Sequence, residues 1–106
     1  MKKWYLATCV VKLGETQSVN DGTGENSAVT GYAINIGVMG VDLMQAMMEA
    51  ERTALRTFPG ERDGNELEEV KIKEADFAML REQLKIEDRG ANGDPVYRSK
   101  LIYFDE

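Results

Sequence analysis

The sequence predicts an α+β layer fold: a four-stranded, mostly antiparallel sheet with two helices on one face, in the order β-β-α-β-α-β. Three observations lead there. Two runs rich in aromatic and β-branched residues, 2–13 and 28–38, flank a polar turn segment. Two segments, 43–58 and 75–85, repeat apolar residues at helical spacing. Two shorter alternating runs, 67–73 and 96–104, supply the remaining strands. At 106 residues the chain has the size of one domain and buries a core without staples.

The opening run "KKWYLATCVVKL" sets Tyr5, Ala7, Cys9, Val11 and Leu13 on one face and Trp4, Leu6 and Val10 on the other. Apolar character on both faces predicts a central strand. "GETQSVNDGTGENS" follows, with Asp21-Gly22 and Gly24 at its middle, so a hairpin with a long polar tip at about 14–27 is expected. The return run "AVTGYAINIGV" places Ala28, Thr30, Tyr32, Ile34, Ile36 and Val38 on a bulky face and Val29, Gly31, Ala33, Asn35 and Gly37 on a nearly bare one. Glycines inside a strand mark a bulge or a close approach, so the bare face is expected to receive a helix, a partner or a ligand.

Asp42, with Gln45 three residues later, forms a variant capping box and starts a helix over Leu43–Phe58 that stops at Pro59-Gly60. In "LEEVKIK", Val70 and Ile72 turn inward and Lys71 and Lys73 outward, as in a half-exposed strand. A second helix is expected from about Ala75 to Lys85, with Phe77, Leu80 and Leu84 aligned. "EDRGANGDP" reads as a loop and "VYRSKLIYF" as a last strand.

Composition excludes several chemistries. No histidine occurs, which removes the usual acid-base residue at neutral pH and the commonest metal ligand. One cysteine, Cys9, builds neither a disulfide nor a thiolate metal site and reads as a small buried hydrophobe in a strand. Gly22-Thr23-Gly24 lacks the remainder of a phosphate loop, and "NDGTGEN" lacks the alternating carboxylates and terminal glutamate of a calcium loop. Neither cofactor nor metal is expected, and no enzymatic activity.

The net charge of −6 is concentrated between Glu61 and Asp88, which hold ten acids and five bases. That distribution argues against direct nucleic-acid binding and would steer a basic partner to this half, Glu66, Glu68 and Glu69 included. Lys12 and Glu15 interrupt the apolar N-terminal stretch, so it reads as a strand rather than a signal segment. No run reaches membrane-spanning length, and a cytoplasmic protein without membrane contact is expected.

The segment "GVMGVDLMQAMMEAERTALRTF" carries four of the six methionines. Projected at about 100° per residue, Leu43, Met47, Ala50, Ala54 and Phe58 form a core stripe, while Gln45, Glu49, Arg52 and Arg56 form the opposite polar stripe. Met44, Met48 and Leu55 make a second apolar stripe, with Glu51 between the two. Either the second helix packs beside the first and covers this stripe, or the stripe stays exposed as a docking face for a partner protein or a second copy, with Glu51 as its polar contact.

The leading expectation is therefore a non-catalytic protein-binding module, with Met44, Met48, Glu51, Leu55, Glu66, Glu68 and Glu69 as its contacts. In size and charge the chain resembles small acidic α+β proteins that block or escort a larger partner, immunity proteins and phage-encoded inhibitors among them. The alternative is a small-molecule binder or sensor, in which Trp4 or Tyr5 stacks on a ligand held over the bare strand face of Gly31, Ala33, Asn35 and Gly37. An enzyme would need Glu51 or Cys9 with a strongly perturbed pKa in a cleft.

Overall fold

The structure, a computed structural model, describes residues 1–20, 26–57, 64–90 and 93–105. Within them the chain runs β1 (Lys3–Asn20), β2 (Asn26–Gly40), α1 (Leu43–Thr57), β3 (Glu66–Glu74), α2 (Phe77–Gln83), β4 (Ile86–Arg89), β5 (Pro95–Arg98) and β6 (Ile102–Asp105). The class is α+β as the sequence predicts, but the described sheet has six strands rather than four. Their order is β3-β1-β2-β5-β4, with β6 also paired to β2, and every pairing is antiparallel.

Two differences account for the extra strands. The stretch Ile86–Arg89, too polar to read as a strand, becomes one because its backbone pairs with β5, Glu87 opposite Tyr97 and Asp88 opposite Val96. The expected last strand is split at Ser99. Its amide donates to the Asn35 carbonyl at 2.9 Å, and its hydroxyl accepts from the Asn35 amide at 3.0 Å and donates to the Lys100 carbonyl at 2.9 Å. The hydroxyl thus stands in for a ladder carbonyl, and β5 and β6 follow one another along the same edge of β2.

β1 is central, as its two apolar faces predict. The β1–β2 ladder also continues through much of the polar stretch at 14–27, pairing Gln17 with Val29 and Asn20 with Asn26. The Asp21-Gly22 turn, Gly24 and the middle of "NDGTGEN" lie outside the described residues. Register shifts between Lys12 and Gln17 and between Val29 and Gly31 reverse the facing of the strand, so Val29, expected on the bare face, is buried in the core. A shift opposite Val10 and Val11 likewise leaves Glu68 unmatched and lets Leu67 join Val70 and Ile72 on the core side of β3.

The main core lies between the bulky sheet face and α1. Tyr5, Ala7, Cys9, Val11, Tyr32, Ile34, Ile36 and Val38 meet Ala46, Ala50 and Ala54. Large side chains on the sheet and small ones on the helix let the two approach closely; a β-carbon on Gly40 would lie 2.7 Å from the Ala46 nitrogen. Tyr32 fixes the separation by donating its buried hydroxyl to the Ala54 carbonyl at 2.5 Å. The helix is therefore rolled relative to the expected core stripe. Ala50 and Ala54 keep their place, Ala46, Glu49 and Thr53 join them, Met47 is only half-buried and Leu43 is exposed. Phe58 and the Pro59-Gly60 stop lie outside the described residues.

The helices do not share a face. Leu80 and Leu84 of the α2 segment are buried over Gly37, whose missing β-carbon would sit 3.2 to 3.3 Å from their methyl groups. Gly37 belongs to the bare face, opposite the one that α1 covers. Glycine creates the recess that seats the two leucines, and this overturns the expectation of both helices on one side. Asp76 caps α2 by accepting from the Ala78 amide at 3.0 Å.

Candidate functional site

With α2 on the far side of the sheet, it does not cover the second apolar stripe of α1. Met44 is 73% exposed and Met48 50%, and beside them Val41 is 52% and Leu43 47% exposed. Asp42 begins this surface: its Oδ1 accepts from the Gln45 amide at 2.8 Å, and the Gln45 side-chain oxygen accepts from the Val41 amide at 2.7 Å. That reciprocal cap fixes the first turn, so Met44 and Met48 are displayed on ordered helix rather than on a frayed end. An open groove of about 400 Å³ runs between Val41, Asp42, Met44, Gln45, Met48 and Arg52.

The other stripe residues lie differently. Leu55 is half-buried and packs against the core. Glu51 is also half-buried, and its charge reaches Cys9. Glu66, Glu68 and Glu69 are exposed on β3, an edge strand of the sheet. Charges there blunt the edge against pairing with other chains, and Glu69 lies 3.5 Å from Lys71. Glu49, expected on the polar stripe, is only 5% exposed. The roll of α1 turns it inward, into space left by Gly90. Sequence spacing alone does not reveal this, because the signal is Gly90, distant in sequence and just after β4.

The alternative ligand surface is altered by α2. Trp4 stacks at 4.9 Å from Phe77 and 5.7 Å from Tyr97, and Arg81 sits 5.9 Å above the Phe77 ring. Its ring is thus engaged within the protein. Tyr5, the next residue along the strand, points to the opposite face and is buried in the core, so the two aromatics do not converge. Gly31 admits the Val11 carbonyl, 2.5 Å from where its β-carbon would stand, rather than a ligand. Asn35 accepts from Thr8 at 2.8 Å. What remains beside Gly31 and Phe104 is a shallow recess of about 140 Å³.

Cys9 is buried at the centre of β1, and desolvation, followed by the nearby charge of Glu51, pushes its thiol up to about 12. A thiol held neutral in this way is a packing residue and a poor nucleophile. Tyr32 is likewise pushed up to about 12, first by burial and then by Cys9 and Tyr103. Among the described residues no three histidine, cysteine, aspartate or glutamate side chains gather as a metal site, and no helix is long and apolar enough to cross a membrane. Comparison with protein-family models, curated proteins and solved structures finds no match to the chain.

Proposed function

We propose that the protein is a non-catalytic binding module that docks onto a partner protein through the outer face of α1. One observation carries the reading: Met44 is largely and Met48 half exposed on a well-capped helix, with Val41 and Leu43 extending the patch. Unbranched methionines adapt to a partner's contours, and a contiguous exposed apolar patch is costly to keep unless it is used. Glu51 borders the patch, and the acidic edge of β3 supplies long-range attraction for a basic partner. Blocking or escorting a larger protein, as immunity proteins and inhibitors do, is the kind of role such a surface serves. A cytoplasmic location belongs to the same proposal and rests on the single unpaired thiol.

A photo-crosslinking residue at position 48, compared with one at Glu82 on α2, tests the reading in the cell that makes the protein. Adducts specific to position 48, abolished when Met44 is changed to Asp, support it. Equal labelling from both positions, or none from either, refutes it.

A further inference from the structure

We infer that Met44 and Met48 form a modification site: hydrogen peroxide converts their thioethers to sulfoxides while the fold stays intact, and the apolar outer face of α1 becomes polar. That this releases a docked partner rests on the reading of the face as a docking surface; the modification itself does not.

The chain has six methionines and one cysteine, and the fold sorts them by access. Met44 and Met48 are exposed on α1, and Met1 is exposed ahead of β1. Met39, Met47 and Met79 are half-buried. Cys9 is buried with its thiol held neutral, so the side chain that most readily senses peroxide is closed to it. Oxidation is thereby directed to thioethers, and two of the three exposed ones stand together on one patch. In each conversion the sulfur lone pair attacks a peroxide oxygen, the O–O bond breaks, and the departing hydroxide leaves as water with the proton of the transferred oxygen. A thiol-dependent reductase reverses the change, oxidising two thiols to a disulfide and releasing the oxygen as water.

The surroundings suit the product. Met48 lies one turn beyond Met44, about 6 Å along the axis, three residues after Gln45 and four before Arg52. All four therefore share one side of the helix, and they line the same groove. Gln45 spends its side-chain oxygen on the Val41 amide, which leaves its amide nitrogen as a donor, and the Arg52 guanidinium enters no salt bridge among the described residues. A sulfoxide oxygen at position 48, a stronger acceptor than the thioether, thus arises between two donors. The two acids of the groove are committed elsewhere, Asp42 to the Gln45 amide and Glu49 to the space beside Gly90. Neither methionine belongs to the core, so the added oxygens cost the fold little.

Peptide mass spectrometry of the full chain after treatment with hydrogen peroxide tests the site. Met44 and Met48 should gain oxygen at least about tenfold faster than Met39, Met47 and Met79, and the difference should vanish in urea. The oxidised chain should elute earlier from a hydrophobic-interaction column while its circular dichroism melt is unchanged, and most of that shift should be absent from the Met44→Leu/Met48→Leu double variant. A photo-crosslinking residue at Val41, in purified protein added to an extract of the cell that makes it, reads the docking. Its adducts should fall at least about tenfold on oxidation and return after treatment with methionine sulfoxide reductases. In the double leucine variant peroxide should leave the adducts at their untreated level.

Equal rates at all six methionines of the folded chain, a melt lost on oxidation, or an unchanged column retention would each overturn the modification site. Adducts at Val41 that survive oxidation of both methionines would overturn the release and leave the docking reading intact. If Val41 gives no adducts even before oxidation, the docking reading falls and the release with it, while the mass spectrometry and the column decide the modification on their own.

Discussion

The carboxylate of Glu49 occupies the space into which a β-carbon on Gly90 would project. A helix side chain and a backbone position just after β4 are thus fitted to each other. Gly90→Ala should destabilise the protein by about 1 to 3 kcal/mol through overpacking. Paired with Glu49→Ala it should cost less than the two single changes added together, a coupling of about 0.5 to 3 kcal/mol, measured by urea denaturation of the four members of the cycle.

The two apolar clusters outside the main core should respond oppositely to truncation. Leu80→Ala removes a fully buried side chain from the recess over Gly37 and should cost about 2 to 5 kcal/mol. Met44→Ala, on the solvent side of α1, should change stability by no more than about 0.5 kcal/mol. Thermal melts at one protein concentration separate the cases, and a large loss from Met44→Ala would mean that the stripe is core.

Glycine tolerance should differ within one strand. At Gly31 a β-carbon would collide with the Val11 backbone oxygen, which cannot move without breaking the ladder, whereas at Gly37 it meets leucine methyl groups that can adjust. Gly31→Ala is therefore expected to be the more damaging by at least about 1 kcal/mol, in denaturant midpoints compared side by side.

Alkaline pH should weaken the fold in two overlapping steps. Cys9 and Tyr32 have folded values of about 12 against ordinary values of 9.0 and 10.0, so both favour the protonated form in the folded state. Their contribution is complete below the ordinary values and is lost as pH rises from about 9 towards 12, each group removing about 1 kcal/mol per unit across its own window. Cys9→Ala should flatten the first step. Glu51→Leu removes a neighbouring charge that raises the thiol and should be neutral or mildly stabilising near pH 7. Melting temperature followed from pH 7 to 11 checks all three.

The elements legible in the sequence are those whose pattern is local. β1 announces itself through aromatic and β-branched residues on both faces, β2 through alternation of a bulky and a bare face, α1 through the Asp42 and Gln45 cap, and the inward Val70 and Ile72 through spacing two apart. What escaped depends on partners distant in sequence. Ile86–Arg89 is a strand only because β5 lies beside it. The expected pairing of helices failed because Gly37, bare enough to resemble a ligand recess, is filled by Leu80 and Leu84. Likewise the roll of α1 was set by Ala46 against Gly40 and by Tyr32 on the Ala54 carbonyl. Periodicity finds an apolar arc, but packing chooses its centre.

Every flanking strand except β4 pairs directly with the β1–β2 hairpin, β3 on one side and β5 and β6 on the other. That gives the fold a natural assembly sequence. The hairpin closes over a short connection, at little cost in chain entropy, whereas β5 must return across α1, β3, α2 and β4 to reach β2. Substitutions in the ladder near Ala33 and Val10 should therefore slow folding, while those at Val96 should mainly speed unfolding. Until β5 and β6 dock, the free edge of β2 is unpaired, and this is the interval in which a newly made chain is most exposed to pairing with another.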